Sequence, residues 1–182
     1  LDSAVVTVGS FQAGTKHNII PDEGRLQLTV RSYRDETRRL LLDGIRRVAR
    51  GEAIAHGVPE DRMPIVEVDE DQAADATWNT PDFTEAMAAV ARRQFGDSRV
   101  MQVPPSMGAE DFGNFWRADN SIRTMIFWVG GTPLADWQAS QANGTPLPSL
   151  HSPFWAPEAE AVIGTASEAL AAMAMEIMKP AA

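Results

Sequence analysis

The chain has 182 residues, of which 44% are hydrophobic and 23% are charged, and its formal net charge is −9. That length fits one ordinary domain or two small ones, with enough apolar residues to bury a core. The excess of 25 acidic over 16 basic residues argues against nucleic-acid binding, which needs clustered lysine and arginine. No apolar run is long enough to predict a membrane span. The absence of cysteine excludes disulfides and thiolate metal sites.

The chain opens on a β-type run, with neither an initiator methionine nor a basic targeting segment. This start predicts a fragment that begins inside a fold. We expect the protein to be cytoplasmic, although a signal peptide ahead of Leu1 stays open as an alternative.

The first part of the chain, residues 1–75, has the pattern of a β-β-α-β layer. Its predicted elements are strands over 4–12 and 26–33, a helix over 35–56 capped by Asp35, and a strand over 64–68. The apolar stripe of the helix is Leu41, Ile45 and Val48. The pattern predicts a split-βαβ, ferredoxin-like layer of α+β type that lacks its leading strand and helix.

The second part, residues 76–182, has the pattern of a piece of an α/β domain. Its predicted elements are a helix over 81–95 ended by Gly96, strands over 100–103 and 124–129, and a helix opened by Pro157 and terminated by Pro180. The predicted apolar stripes are Phe83, Met87 and Val90 in the first helix, and Ile163, Ala166, Leu170, Met173 and Ile177 in the last. The continuous apolar run over 124–129 predicts a strand buried on both faces. A loop of about twenty residues is expected from there to His151.

Arg31 and Asn18 are the first candidates for chemistry. Arg31 lies on the polar side of its predicted strand. A guanidinium on a rigid backbone is suited to bidentate hydrogen bonding with a carboxylate. Asn18 precedes the same strand, and we expect its amide near the guanidinium as a further donor. The alternative for Arg31 is an ordinary arginine on a solvated sheet face.

Two further candidates lie in predicted loops. Gly108, Ala109 and Glu110 stand at a loop-to-helix junction, where backbone N–H groups and a carboxylate can line a cleft. The alternative is that the acidic residues occupy the first turn of a short helix, where they favour its dipole. His151 ends the long loop shortly before a helix, a position typical of metal ligands and general bases. The alternative is an ordinary loop histidine.

Three segments, taken in order, resemble one family of enzymes. They are residues 14–31 with Asn-Ile-Ile-Pro-Asp, residues 106–112 with Ser-Met-Gly-Ala-Glu-Asp-Phe, and residues 150–154 with Leu-His-Ser-Pro-Phe. Together they resemble the zinc aminoacylase and carboxypeptidase superfamily, metallopeptidase family 20. Within it, the chain is most similar to the hippurate hydrolase and indoleacetyl-amino-acid hydrolase branch. The resemblance covers essentially the whole chain.

The resemblance implies a catalytic α/β domain that holds two divalent metal ions and an inserted lid domain that often dimerises. Residues 1–75 would be the last part of the lid, and residues 76–182 the C-terminal part of the catalytic domain. The resemblance implies zinc, with manganese or cobalt as alternatives. The implied site residues are His151 on metal, Asn18 and Arg31 on the substrate carboxylate, and Gly108, Ala109 and Glu110 beside the substrate.

By this resemblance, the whole protein hydrolyses the amide bond of N-acyl amino acids or similar small amides with metal-activated water. It would act as a homodimer, with no nucleic acid or membrane as partner. The remaining metal ligands and the general base would lie ahead of Leu1, so the chain alone is expected to be inactive. Two alternatives stay open, a non-catalytic dimerisation or binding module that kept the lid, and an unrelated α+β binding protein.

Overall fold

A computed structural model describes residues 3–70, 73–108 and 110–180, which form a mixed α/β fold. Its strands and α-helices are β1 (Ala4–Ala13), β2 (Gly24–Ser32), α1 (Asp35–Ala55), α2 (Pro81–Phe95), α3 (Gly113–Ala118), α4 (Leu134–Asn143) and α5 (Ala159–Ile177). The chain divides into two compact units. One runs to Thr77 and includes Pro105–Asn114, and the other comprises Trp78–Pro104 and the chain from Phe115 onwards. Among the helices that the structure describes, none has the length and apolar character needed to span a bilayer.

The two predicted strands at the start of the chain are confirmed, and they form an antiparallel hairpin. Val8 pairs with Leu28, and Phe11 pairs with Leu26 after a shift of register at Gly9. Strict alternation from Val8 would place Phe11 on the opposite, polar face. The extra residue of a β-bulge corrects this, so that Phe11 joins the apolar face of the hairpin.

The first predicted helix is also confirmed, and α1 packs against β2. Arg34 is its N-cap residue, so the prediction that Asp35 caps the helix is wrong. Gly57 follows the helix with φ of +68°, a left-handed conformation that favours glycine and stops the helix as predicted. The apolar stripe differs at Val48, which is 60% exposed, whereas Ala53 is buried. Ala53 shares the face that α1 turns inward, and Val48 lies beside that face.

The predicted third strand over 64–68 is wrong. Val66 and Val68 are half-buried and Ile65 is exposed, so the alternation of a strand is present in the burial pattern. A strand also needs a neighbour that accepts and donates backbone hydrogen bonds. Among the described residues the sheet contains only β1 and β2, and no strand lies beside this segment.

The core of the second unit lies between α2 and α5. Met87 and Val90 of α2 are buried against Met173 of α5, and Met125 and Phe127 pack onto this cluster. The stripe predicted for α2 is therefore confirmed. An ion pair of 2.9 Å between Arg93 and Glu176 joins the same two helices at the surface.

The predicted strand over 124–129 is wrong in two respects. Its backbone is held by side chains, because the amide of Asn79 donates to Ile126 O at 2.9 Å and its oxygen accepts from Ile126 N at 2.8 Å. Only one face is covered, since Met125 and Phe127 pack on the core while Trp128 is 63% exposed. The segment over 100–103, also predicted as a strand, joins no ladder among the described residues.

The last helix is confirmed, but its predicted apolar stripe is only partly covered. Met173 of that stripe is buried in α5, as is Ala169, whereas Ile163, Leu170 and Ile177 are more than half exposed. The buried face is the one that carries Glu176, which Arg93 of α2 binds, so the neighbouring helix sets the rotation of α5. Lys179 also donates to Glu176, and this hydrogen bond lowers the pKa of the Glu176 carboxyl below its usual value.

Thr124 offers a direct test of the packing in this unit. It is buried, and its hydroxyl donates a hydrogen bond of 2.6 Å to the carbonyl of Trp78. Thr124→Val keeps the shape of the side chain and leaves this carbonyl without its donor, so we expect a loss of about 1–3 kcal/mol in the free energy of unfolding. Urea denaturation followed by circular dichroism measures the change.

Thr84 of α2 supplies the matched control for this experiment. Its hydroxyl is buried and has no hydrogen-bond partner in the part of the chain that the structure describes. Thr84→Val should therefore leave the free energy of unfolding unchanged or raise it. Equal losses for the two variants would show that the Thr124 hydrogen bond does not contribute to stability.

Candidate functional site

Arg31 lies near the end of β2, opposite Val5, on the face of the hairpin that also carries Thr29. Its Nη1 donates a hydrogen bond of 2.6 Å to the backbone oxygen of Met107, which is 76 positions away in the sequence. Within the described ranges, this is the one hydrogen bond of the guanidinium. The remaining N–H groups are therefore free to hold an anion while the first one holds the loop.

The loop over 105–112 is shaped by its own side chains. Ser106 Oγ accepts a hydrogen bond from the N–H of Gly108 at 3.1 Å. Glu110 Oε1 accepts from the N–H groups of Asp111 at 2.9 Å and Phe112 at 3.2 Å. The Glu110 carboxylate is thus engaged with the backbone just ahead of α3, where N–H groups lack helical partners. This contact fits a residue that positions the loop.

Gly113, the first residue of α3, lies so close to the backbone of a neighbouring segment that a side chain would not fit. A Cβ on Gly113 would lie 3.1 Å from Cα of Thr77 and 3.2 Å from the backbone oxygens of Asp75 and Ala76. The alternative that the acidic residues stand in the first turn of a helix is wrong, because α3 begins at Gly113, after Glu110. Ala109, the remaining candidate in this loop, lies outside the described residues.

Asn18 lies in the connection between β1 and β2, where the N–H of Ile19 donates to Lys16 O at 3.4 Å. This connection closes the hairpin beyond the pair of Ala13 and Gly24. Arg31 stands seven residues after Gly24, which is about 23 Å along an extended strand. The expectation that the Asn18 amide lies near the Arg31 guanidinium is therefore wrong within one chain. Its role toward a substrate stays a prediction.

His151 is exposed and lies in a turn closed by a hydrogen bond of 2.9 Å from the N–H of Ser152 to the oxygen of Ser149. A search of residues 3–70, 73–108 and 110–180 finds no group of three or more His, Cys, Asp or Glu side chains that could hold a metal ion. One imidazole does not make a metal site, since a catalytic ion needs about three protein ligands. The role of His151 as a ligand stays a prediction.

The prediction of a long loop ahead of His151 is wrong, because α4 occupies its centre. Pro133 precedes the helix and Gly144 follows it with φ of +71°, which are ordinary start and stop signals. The helix end is fastened by Ser140, whose hydroxyl donates to Thr145 O at 2.7 Å. These signals were present in the sequence, but the weak apolar periodicity of the segment concealed them.

A cavity of about 480 Å³ lies between α4 and the segment that follows it, and we call it the α4 cavity. One wall is the helix face that carries Asp136, Ala139, Ser140 and Asn143. The other wall is formed by residues 145–148 and 154–156. The two parts of this wall flank His151 in the sequence on either side. The sequence pattern does not predict this cavity, because one of its walls is α4.

A comparison with models of protein families decides the family. The model described as peptidase family M20/M25/M40 matches residues 4–146. The chain belongs to this family. The match confirms the resemblance found in the sequence, and it includes residues from both compact units of the M20-family chain.

Curated relatives of this M20-family chain include two enzymes named for their amide substrates. It is 32% identical over 115 residues to the hippurate hydrolase of Campylobacter jejuni, covering 63% of this chain and 28% of that enzyme. It is 28% identical over 167 residues to an N-acetyldiaminopimelate deacetylase of Streptococcus suis, covering 88% of this chain and 37% of that enzyme. The chain thus spans about a third of the length of these relatives.

The fold also matches a solved M20-family structure. The Bacillus subtilis YXEP protein, described as a dinuclear metal-binding peptidase of this family, aligns with a TM-score of 0.65 and 25% sequence identity. The alignment covers 96% of this chain and 42% of that protein. The α/β class predicted from the sequence is therefore confirmed.

Proposed function

We propose that this chain is the C-terminal portion of a metal-dependent amidohydrolase that cleaves N-acyl amino acids or similar small amides. The observation that carries the proposal is the match of the M20/M25/M40 family model to residues 4–146. The names of the two relatives support the substrate class, because hippurate and N-acetyldiaminopimelate are both amides of an acyl group with an amino acid. Residues 1–75 are assigned to a lid and residues 76–182 to a catalytic domain.

In this proposal Arg31 holds the substrate carboxylate with the N–H groups that Met107 leaves free. Gly108, Ala109 and Glu110 border the substrate, and the hydrogen bonds that Glu110 accepts from its own loop fix the shape of that border. Asn18 stands at the opposite end of the hairpin, so we assign it to the site of a second copy in a homodimer. This assignment reconciles its predicted role with the hairpin register.

The described residues do not form a metal centre on their own. We propose that His151 supplies one ligand and that the remaining ligands and the general base come from residues outside this sequence. Zinc suits an imidazole ligand, and manganese and cobalt are the alternatives. The alternative function is a non-catalytic dimerisation or binding module.

The chain as given should be inactive as a hydrolase. A single candidate ligand does not hold an ion with an open position for water, so no nucleophile is generated at neutral pH. The measurement is turnover of N-benzoylglycine and N-acetyl amino acids after incubation with zinc, manganese or cobalt. Turnover that a chelator abolishes would contradict the proposal that essential ligands lie elsewhere.

The hairpin should drive self-association of the chain. In the described sheet β1 and β2 each have one hydrogen-bonded neighbour, so both are edge strands, and edges of this kind recruit further strands. Light scattering over a wide concentration range should show dimers or larger species. Val8→Lys places a charge on the apolar face of β1 and should shift the distribution toward monomer. A monomer at all concentrations for the unmodified chain would contradict this prediction.

A further inference from the structure

We propose that Asn143, at the end of α4, is a site of spontaneous deamidation in the folded protein. It is followed by Gly144, and this is the one Asn-Gly pair formed by the five asparagines of the chain. Both residues are exposed. The inference concerns the chemistry of the chain itself, so it does not depend on the proposed amidohydrolase function.

The reaction uses the backbone nitrogen of Gly144 as its nucleophile. Hydroxide removes the proton from this nitrogen, which then attacks Cγ of Asn143. The N–Cγ bond forms, the Cγ–Nδ2 bond breaks, and Nδ2 takes a proton from water and leaves as ammonia. Water opens the resulting five-membered succinimide ring at one of its two carbonyls and gives aspartate or isoaspartate. The reaction therefore needs water and hydroxide, but neither an oxidant nor a reductant.

The surroundings of the Asn143 side chain favour this attack. Its Oδ1 accepts a hydrogen bond of 2.8 Å from the N–H of Thr145. The attack places negative charge on this oxygen, and an N–H that already points at it stabilises that charge. Nδ2, which must leave, donates no hydrogen bond to the residues that the structure describes. Gly144 adds no steric barrier, because it lacks a side chain and no other residue lies within 4 Å of the position that its Cβ would take.

One hydrogen bond opposes the reaction. The N–H of Gly144 donates to Ser140 O at 2.9 Å, so the nitrogen can attack only after the last turn of α4 opens. The helix has 10 residues, and none of them is buried. Helices of this length are marginal by themselves, and helix ends open locally at low cost. We expect this bond to slow the reaction about fivefold, which corresponds to about 1 kcal/mol.

Asn120 supplies a matched control in the same unit. It is also exposed, and it precedes another small residue, Ser121. The Nδ2 of Asn120 donates to Trp116 O at 2.7 Å, which holds the leaving nitrogen. The N–H of Ser121 donates to the Asp119 carboxylate at 2.8 Å, which holds the attacking nitrogen. Two bonds must therefore open, and folding should slow the reaction at Asn120 by at least about 25-fold.

Deamidation of Asn143 changes the wall of the α4 cavity. Asn143 lines this cavity, and Asp136 is the one titratable residue among those that do so. Either product adds a second carboxylate to the lining. Isoaspartate also lengthens the backbone by one carbon, which moves the N–H of Gly144 away from Ser140 O and releases the end of α4. The modified protein is thus a distinct species with a more acidic cavity.

Peptide mapping by mass spectrometry tests the proposal on the natural gene product that contains this chain. The protein is held at mildly alkaline pH, either folded or unfolded in guanidinium chloride, and the conversion of each asparagine is followed over time. Both Asn143 and Asn120 should convert in the unfolded protein. Folding should slow Asn143 about fivefold and Asn120 at least about 25-fold.

If folding slows Asn143 as strongly as Asn120, the proposal is overturned, whether both residues stay intact or both convert. Asn143→Gln assigns the reaction to this residue, because glutamine must close a six-membered ring, which forms far more slowly. The variant should remove most of the ammonia released by the folded protein and leave the rate at Asn120 unchanged. Undiminished ammonia release from the folded variant would place the reaction at another residue and contradict the proposal.

Discussion

Replacing His151 with alanine should remove metal from the natural gene product and reduce hydrolysis of N-acyl amino acids by at least about 100-fold. Changes to groups that merely orient a metal ligand already cost 10- to 100-fold, so loss of a ligand should cost more. His151 is exposed in a turn, so the change should leave the fold intact. Atomic absorption measures the metal content, and circular dichroism measures the fold.

His17 supplies the matched control for this prediction. It is an exposed residue in the connection between β1 and β2, and it carries no proposed role. His17→Ala should keep both the metal content and the turnover of the unmodified protein. If His151→Ala keeps the metal content and the full activity, His151 is an ordinary loop histidine and not a metal ligand.

Arg31→Lys in the same protein should lower kcat/KM for substrates with a free carboxylate. The decrease should correspond to a loss of about 2–3 kcal/mol in transition-state stabilisation. Lysine keeps the positive charge but lacks the planar guanidinium with its several N–H donors. It therefore does not bind Met107 O and a carboxylate together in the same geometry. The loss should shrink when the substrate carboxylate is esterified or amidated, because such substrates offer no anion. Steady-state kinetics on paired acid and amide substrates measure the difference.

Arg25 allows the effect of Arg31 to be separated from a general effect of surface charge. It lies at the opposite end of β2, on the same face as Arg31, and pairs with Gln12. Arg25→Lys should leave kcat/KM unchanged on both kinds of substrate. Equal losses on acid and amide substrates for Arg31→Lys would mean that Arg31 acts by holding the loop at Met107 and does not bind the substrate carboxylate.

Local signals in the sequence predicted the elements that depend on local structure. The alternation in β2, the stop at Gly57 and the stripe of Phe83, Met87 and Val90 all follow from residues close together in the chain. The predictions of strands over 64–68, 100–103 and 124–129 are wrong because a strand depends on a neighbouring strand. Periodicity in the sequence does not show whether that neighbour exists.

The candidate site shows the same difference between features set by nearby residues, which the sequence predicts, and contacts between distant residues, which it does not. The sequence predicts Arg31 as a site residue from its place on a polar face. It does not predict the contact of Arg31 with Met107 O, because the two residues are 76 positions apart and a backbone oxygen is present in every residue. The sequence also predicts Asn18 beside Arg31, because both residues lie near one strand. The register puts them at opposite ends. α4 was missed although Pro133 and Gly144 marked its bounds, because the segment lacks a strong apolar stripe.

We propose that this M20-family chain belongs to a metal-dependent amidohydrolase. Hydrolysis of N-benzoylglycine and N-acetyl amino acids by the natural gene product, before and after removal of metal by a chelator, tests it most directly. The account predicts turnover that chelation abolishes and added zinc, manganese or cobalt restores, with no turnover by the 182-residue chain alone. A metal-loaded natural product that hydrolyses none of these amides, or one whose turnover survives complete removal of metal, would contradict it.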